Sequence, residues 1–302
     1  MLHPPPEAMR HAYLLFLLFI GCSTSFPGER TVEDDLGRTV VLPPTIERIT
    51  TLAPSVTELA FAAGAGSKIV GVSTFDDYPP AVDTIPRYDM LPTDFEAIVA
   101  LDPELVLASE QVNSLKDVDI FSSVGIPVYF VAVNTLPDVT RAIRSLGDLF
   151  GTSEAATRRA IQLEDSLAQL SALTASLSER PRTLFLIDDV TLYAFGQGSY
   201  IHDMIDLAGG HSITQSMTTR FPVLTDEFVL DARPEVIVGS FGRQYDVTKL
   251  VSHHATWDIV PAVVSGRVYG LHPSPYLRPG PRLVSGAWAL AKILHPDAVT
   301  DP

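Results

Sequence analysis

The sequence predicts an α/β protein of two similar lobes, each with a mostly parallel central sheet, joined by one long rigid interlobe helix. Three observations carry this expectation. Short β-leaning apolar runs such as Leu105-Val106-Leu107 and Val128-Tyr129-Phe130-Val131 alternate with helical patterns, as buried parallel strands and their crossovers do. The stretch FEAIVALDPELVLAS at 95–109 returns as DEFVLDARPEVIVGS at 226–240. The offset is a constant 131 residues, so Glu96 meets Glu227, Pro103 meets Pro234, Glu104 meets Glu235 and Ser109 meets Ser240. Residues 153–178 contain neither Gly nor Pro and lie between the two copies.

Residues 1–21 read as a signal peptide. Arg10-His11 lead into nine apolar residues, Ala12 to Ile20, followed by Gly21-Cys22. Nine is too few to cross about 30 Å of hydrocarbon, which takes roughly 20 residues as a helix, but suits the apolar region of an export signal. The pattern resembles a bacterial lipoprotein signal, with Phe19 where Leu is usual, and this makes Cys22 the expected lipidation site. Cys22 is the single cysteine, so no intrachain disulfide can form. Residues 22–47 are expected to be a tether and an edge segment, Thr39 to Leu42, closed by Pro43-Pro44.

The first lobe is expected over 48–150. Arg48 to Leu52 reads as a strand, and Pro54-Ser55-Val56-Thr57-Glu58 opens a helix that runs through Ala63 and stops at Gly64. Ile69 to Val72 is a strand, and Asp94 can cap a helix carrying Glu96 to Leu101 that ends before Pro103. The interlobe segment is 151–180. Its helix places Leu163, Leu167, Leu170, Leu173 and Leu177 at helical spacing and would extend roughly 36–39 Å at 1.5 Å per residue. The second lobe, 181–302, restarts with a strand at Thr183 to Ile187. A helix from Ser199 to Leu207 then ends at Ala208-Gly209-Gly210, echoing Ala63-Gly64. The second copy of the repeat follows, then a strand at Val268 to Leu271 and a closing helix from Pro281 to Leu294. Two echoes in one order on both sides of the rod indicate duplicated lobes; each is too long for a solenoid unit.

Composition narrows the function. The chain has 302 residues, 46% apolar and 19% charged, which is a globular composition. Its formal charge is −15 and it has no Lys/Arg run to neutralise a phosphate backbone, so a nucleic-acid partner is not expected. No G-x-S-x-G elbow, H-E-x-x-H or P-loop is present, and Gly64-Ala65-Gly66 lacks the third glycine of a dinucleotide fingerprint. The histidines at 202, 211, 253, 254, 272 and 295 have no ligand spacing, so no metal site and no cofactor are expected. Glu96 and Glu227 fall in separate lobes, farther apart than the roughly 5–9.5 Å of a glycosidase pair. The chain is therefore not expected to be an enzyme.

Two lobes of this kind leave a cleft at their strand ends, where ligands favour binding. The segments LAPSVTELAFAAGAGSKIVGV, FDDYPP, FEAIVALDPELV, the rod and YLRPGPRLVSG resemble, in order and spacing, the substrate-binding proteins of ABC importers for iron-siderophores, haem and vitamin B12. The resemblance covers about residues 36–297, and FDDYPP is most similar to the cobalamin-binding branch. It implies an exported, lipid-anchored monomer that captures a cobalamin-like ligand, or alternatively an iron-siderophore or haem, for an ABC permease and its ATPase. It also implies that Glu96 and Glu227 meet arginines of the permease; read from the residues alone, both equally suit helix starts as first-turn acids. The cleft residues it implies are Ser55, Phe75, Tyr78, Met90, Tyr193, Phe221, Tyr276 and Arg278. Arg278 would face a ligand propionate, phosphate or carboxylate. Met90 and Glu110 stand where the cobalamin-binding branch has aromatic rings.

Overall fold

The computed structural model describes residues 28–243 and 245–299. The signal peptide and Cys22 lie outside the described residues. The chain opens with a hairpin, β1 (Arg30–Glu33) and β2 (Thr39–Leu42), paired antiparallel. The first lobe continues with β3 (Ile49–Thr51), α1 (Pro54–Ala62), β4 (Ile69–Ser73), β5 (Arg87–Tyr88), α2 (Phe95–Ala100), β6 (Leu105–Ser109), α3 (Leu115–Ser123), β7 (Val128–Val131) and α4 (Leu136–Phe150). The interlobe helix is α5 (Ser153–Ala175), 23 residues and so about 35 Å long. The second lobe contains β8 (Arg182–Leu186), α6 (Tyr200–Leu207), β9 (His211–Ser212), α7 (Asp226–Ala232), β10 (Val236–Gly239), α8 (Val247–His253), α9 (Pro261–Val264), β11 (Val268–Gly270), α10 (Ser274–Leu277) and α11 (Leu283–Leu294).

The five-stranded sheet runs β5-β4-β3-β6-β7 and the four-stranded sheet β9-β8-β10-β11, every pair parallel. Without β5 the two orders are the same, β3 answering to β8 and β6 to β10. Strand faces alternate as a pleat requires. Leu105 and Leu107 of β6 enter one core while Val106 and Ala108 enter another, and Val236 and Val238 of β10 part from Ile237 in the same way. One face of each sheet closes a core of its own lobe, around Phe121 and Phe130 in the first and Trp257 and Leu250 in the second. The other faces share a single core. It joins Val56 and Leu59 of α1, Ile143 of α4, Leu163 and Leu170 of α5, Met204 of α6 and Leu290 of α11.

The two echoes in the sequence have physical causes. Before β6 and before β10 the backbone passes through the left-handed region at Asp102 (φ 48°) and Arg233 (φ 49°), the two non-glycine residues with positive φ among those described. Glu104 then accepts from Glu47 N and Arg48 N at 2.6 and 3.1 Å, as Glu235 accepts from Arg182 N at 2.9 Å. The guanidinium groups of Arg48 and Arg182 return to the carbonyls of Asp102 and Arg233 at 2.8 and 3.0 Å. The recurring Pro-Glu dipeptide thus ties the start of one strand to the start of its neighbour. The glycine echo terminates α1 and α6, with Gly64 at φ 85° and Gly209 at φ 78°. It also seats the rod: Thr152 donates to the carbonyl of Ala63 at 2.6 Å, and Thr174 to that of Leu207 at 2.9 Å.

The hairpin strand β1 has no counterpart in the sequence expectations. Its turn residue Asp34 is buried and accepts from Leu36 N, Arg38 N and Phe130 N at 3.0, 2.9 and 3.2 Å. Asp35 accepts from Ala132 N at 2.8 Å, so the turn covers the outer edge of β7.

Glu104→Ala and Glu235→Ala each strip acceptors from strand-start amides. Each is expected to lower stability by about 1 kcal/mol, and the double variant by roughly the sum, because the sites are in separate lobes. Urea denaturation of the three variants checks this.

Candidate functional site

The parallel strands of both sheets end toward the space between the lobes, so the loops that follow them build the site. On the second lobe, the loop after β8 and the approach to α7 pair as an antiparallel ribbon. Ala194 N donates to Pro222 O at 2.9 Å, Gly196 N to Arg220 O at 3.0 Å, and Tyr193 bridges Val223. Period-two alternation places Tyr193, Phe221 and Val223 on one face, with 43%, 43% and 55% of their surfaces exposed. Phe221 is the exposed end of an aromatic row. Its ring lies 5.5 Å from Phe195, Phe195 lies 5.8 Å from Phe185, and Phe185 lies 5.8 Å from Tyr276. Tyr276 is the buried end of that row, 4% exposed, and burial pushes its hydroxyl up to about 12.

The first lobe contributes Phe75 and Tyr78, both exposed, and Ser55 and Met90, both buried. Ser55 sits in the first turn of α1, while Met90 is held in a tight turn with Thr93. The eight expected cleft residues therefore divide. Phe75, Tyr78, Tyr193 and Phe221 present rings to solvent; Ser55, Met90 and Tyr276 stand behind the surface; Arg278 is already paired.

That pairing belongs to a charge network between the lobes. Glu58 of α1 has a fully buried side chain and meets the Arg282 guanidinium through two bonds of 2.9 and 2.6 Å. Burial raises the Glu58 carboxyl above its ordinary range, and Arg282 opposes that rise. The Arg282 guanidinium also covers the Tyr78 ring at 4.7 Å and reaches Asp77 at 3.3 Å. Arg278 pairs with Asp77 and donates to the carbonyl of Phe75 at 3.0 Å. Burial alone would raise Asp77, but Arg278 and Arg282 hold its carboxyl below the usual range. The segments FDDYPP and YLRPGPR are thus the two halves of one clasp. Their opposite charges, Asp77 against Arg278 and Arg282, were the available signal, and nothing in a linear reading says that they meet.

Two further contacts cross between the lobes. Arg220 meets Glu110, which follows β6, at 3.2 Å, and the same guanidinium lies 5.7 Å above the Phe221 ring. Asp203 of α6 accepts from Leu136 N at the start of α4 at 2.9 Å. Arg220 and Val223 are site residues that sequence reasoning missed, because a loop of mixed polarity carries no periodic signal.

Glu96 and Glu227 occupy the same place in their lobes. Each is exposed, at the second position of a short helix, behind a cap in which Asp94 accepts from Ala97 N or Thr225 from Phe228 N. A hydrogen bond from its own backbone amide and one from Thr225 keep the Glu227 carboxyl below the ordinary range. Both acids stand in the first turn of their helices, where the helix dipole favours negative charge. Among the described residues, no group of three or more His, Cys, Asp or Glu side chains is arranged to hold a metal ion.

Removing one partner of a buried pair strands the other charge. Glu58→Ala is expected to lower stability by about 3 kcal/mol, with Glu58→Gln milder because it keeps the shape and one hydrogen bond. Urea unfolding curves for the two variants check the order.

Comparison with known proteins agrees with this architecture. The pattern of the family described as "Periplasmic binding protein" matches residues 49–275. An uncharacterized ABC transporter substrate-binding lipoprotein of Bacillus subtilis is 27% identical over 88% of this chain and 86% of its own length. A cobalamin-binding protein of Halobacterium salinarum is 30% identical over 90% of this chain and 75% of its own. Among solved structures, the periplasmic vitamin B12 binding protein of Vibrio cholerae superposes with a TM-score of 0.71 at 26% identity, over 82% of this chain and 96% of that one. The periplasmic heme-binding protein of Roseiflexus gives 0.73 at 26%, over 84% and 100%. The duplicated parallel sheets, the single connecting helix and these likenesses agree: the chain belongs to the periplasmic binding protein family of the iron, B12 and haem type, and is the solute-binding component of an ABC importer, not an enzyme.

Proposed function

We propose that this protein is anchored outside the cytoplasmic membrane through Cys22, captures a cobalamin-like corrinoid between its lobes, and docks on its permease through Glu96 and Glu227. The observation that carries the ligand reading is the exposed apolar face of Tyr193, Phe221 and Val223 on the second lobe, with Phe75 exposed on the first. A large planar ring system needs such walls and few polar groups. The cobalamin-binding and B12-binding relatives support the corrinoid over other cargo. Tyr276 backs this wall through Phe185 and Phe195, Ser55, Tyr78 and Met90 belong to the first-lobe side, and Arg278 acts by holding the Phe75 loop.

A second reading is a haem or ferric siderophore in the same cleft. It is favoured by Arg220, a guanidinium at the edge of the aromatic wall that suits a ligand carboxylate, and by the heme-binding structural relative.

Titration of the mature protein with cyanocobalamin, haemin and a ferric siderophore, followed by absorbance and tryptophan fluorescence, separates the two. Saturable binding of cyanocobalamin alone is expected, weakened about tenfold or more by Tyr193→Ala with Phe221→Ala. Saturation by haemin or the siderophore without cyanocobalamin binding overturns the corrinoid reading.

The docking assignment is tested separately. The variant carrying Glu96→Ala and Glu227→Ala is expected to bind ligand as the wild type does, while uptake by the reconstituted importer is lost. Retained uptake, or lost ligand binding, contradicts the assigned roles.

A further inference from the structure

The repeat places different residues at the base of the two docking helices. Phe95 is the first residue of α2, and the position 131 residues on, Asp226, is the first residue of α7. In the first lobe the Phe95 ring packs on buried Phe121 at 5.3 Å. In the second lobe the corresponding place beside buried Trp257 is taken by His254, stacked on the indole at 4.6 Å and 24°. His254 is itself buried, and both of its ring nitrogens are occupied: Nδ1 lies 2.7 Å from Asp226 Oδ1, and Nε2 lies 3.0 Å from the carbonyl oxygen of Asp189.

The partners decide the charge of the ring. A carbonyl oxygen only accepts, and an ionised carboxylate only accepts. A neutral imidazole has one N–H and can satisfy one of them. The other place for a second proton is Asp226, whose side chain is 42% exposed to water. The surroundings are rich in acceptors and negative charge. Asp189 Oδ2 takes the Tyr245 hydroxyl at 2.6 Å and lies 3.9 Å from His253 Nδ1. A cationic ring stacked flat on Trp257 also gains from the indole face.

The two acceptors belong to different parts of the protein. Asp226 begins the helix that carries Glu227, and Asp189 lies in the loop after β8 that leads to Tyr193. We propose that His254 is a doubly protonated positioning residue that ties the cleft loop of the second lobe to the first turn of α7 and so fixes Glu227 for docking. This rests on the docking role proposed for Glu227. The first lobe reaches the same end with an apolar ring pair, so the two feet are anchored by different physics.

Imidazole nitrogen resonances of the uniformly 15N-labelled wild-type protein, with His254 identified by its loss in His254→Gln, test the charge state without reference to transport. Both ring nitrogens in the protonated range are expected; one unprotonated nitrogen overturns the proposal. The positioning role is read from His254→Phe, which keeps a ring on Trp257 but neither donor. Amide exchange over residues 227–230 is expected to rise about tenfold, and the permease is expected to need about tenfold more binding protein for half-maximal uptake. Affinity for cyanocobalamin, the probe ligand, should stay within about twofold. Unchanged exchange, or unchanged half-saturation, overturns the positioning role. If exchange rises while Glu227→Ala leaves uptake intact, the docking reading of Glu227 fails and the tie itself stands.

Discussion

A carboxylate taken out of water must find a partner, and Glu58 finds one in the opposite lobe. Arg282 satisfies both of its oxygens, so the pairing ties the two lobes together at this point. The same guanidinium covers Tyr78 and reaches Asp77, so the loop after β4 takes its shape from the second lobe. Behind this clasp the two sheets share one apolar core with α1, α4, α5, α6 and α11. A shared core couples the two lobes, since repacking an interior at crystal-like density is costly. The rod adds to this, being pinned at Ala63 and again at Leu207.

The duplication is conserved in its backbone chemistry and relaxed in its side chains. The left-handed residue, the Pro-Glu dipeptide and the returning arginine occur in both lobes because they solve the same problem, the start of two adjacent parallel strands. The loops at the other ends of those strands share nothing comparable. There the second lobe builds an aromatic ribbon and the first lobe a charged loop, so one ancestral plan ends in two unlike sets of loops. The helices that carry Glu96 and Glu227 show the same division: identical position for the acid, different anchoring beneath it.

Much of this was legible beforehand. The strands at 105–109 and 128–131 announced themselves as apolar runs, Asp94 as a cap, and Gly64 and Gly209 as helix stops. The rod was read three residues too long, through Ser178, since Ser176 already ends the helix. Strands β1, β5 and β9 were not read, being only two to four residues long with no apolar run and stabilised by their neighbours. Among the cleft residues, exposure of Phe75, Tyr78, Tyr193 and Phe221 fits a surface role, whereas Tyr276 and Arg278 turned out to be a core ring and half of a clasp. A tyrosine or an arginine in a motif has no label saying which side of the surface it faces.

The sequence alone determined the fold class, the duplication, the connecting rod and the equivalence of Glu96 with Glu227, because periodicity, punctuation and self-similarity are local and survive in one dimension. The tertiary structure alone decided which charges pair across the lobes, which rings are exposed and which are buried, and that His254 faces two acceptors at once. Those depend on residues up to 224 positions apart meeting within hydrogen-bond distance, and no local pattern encodes that meeting.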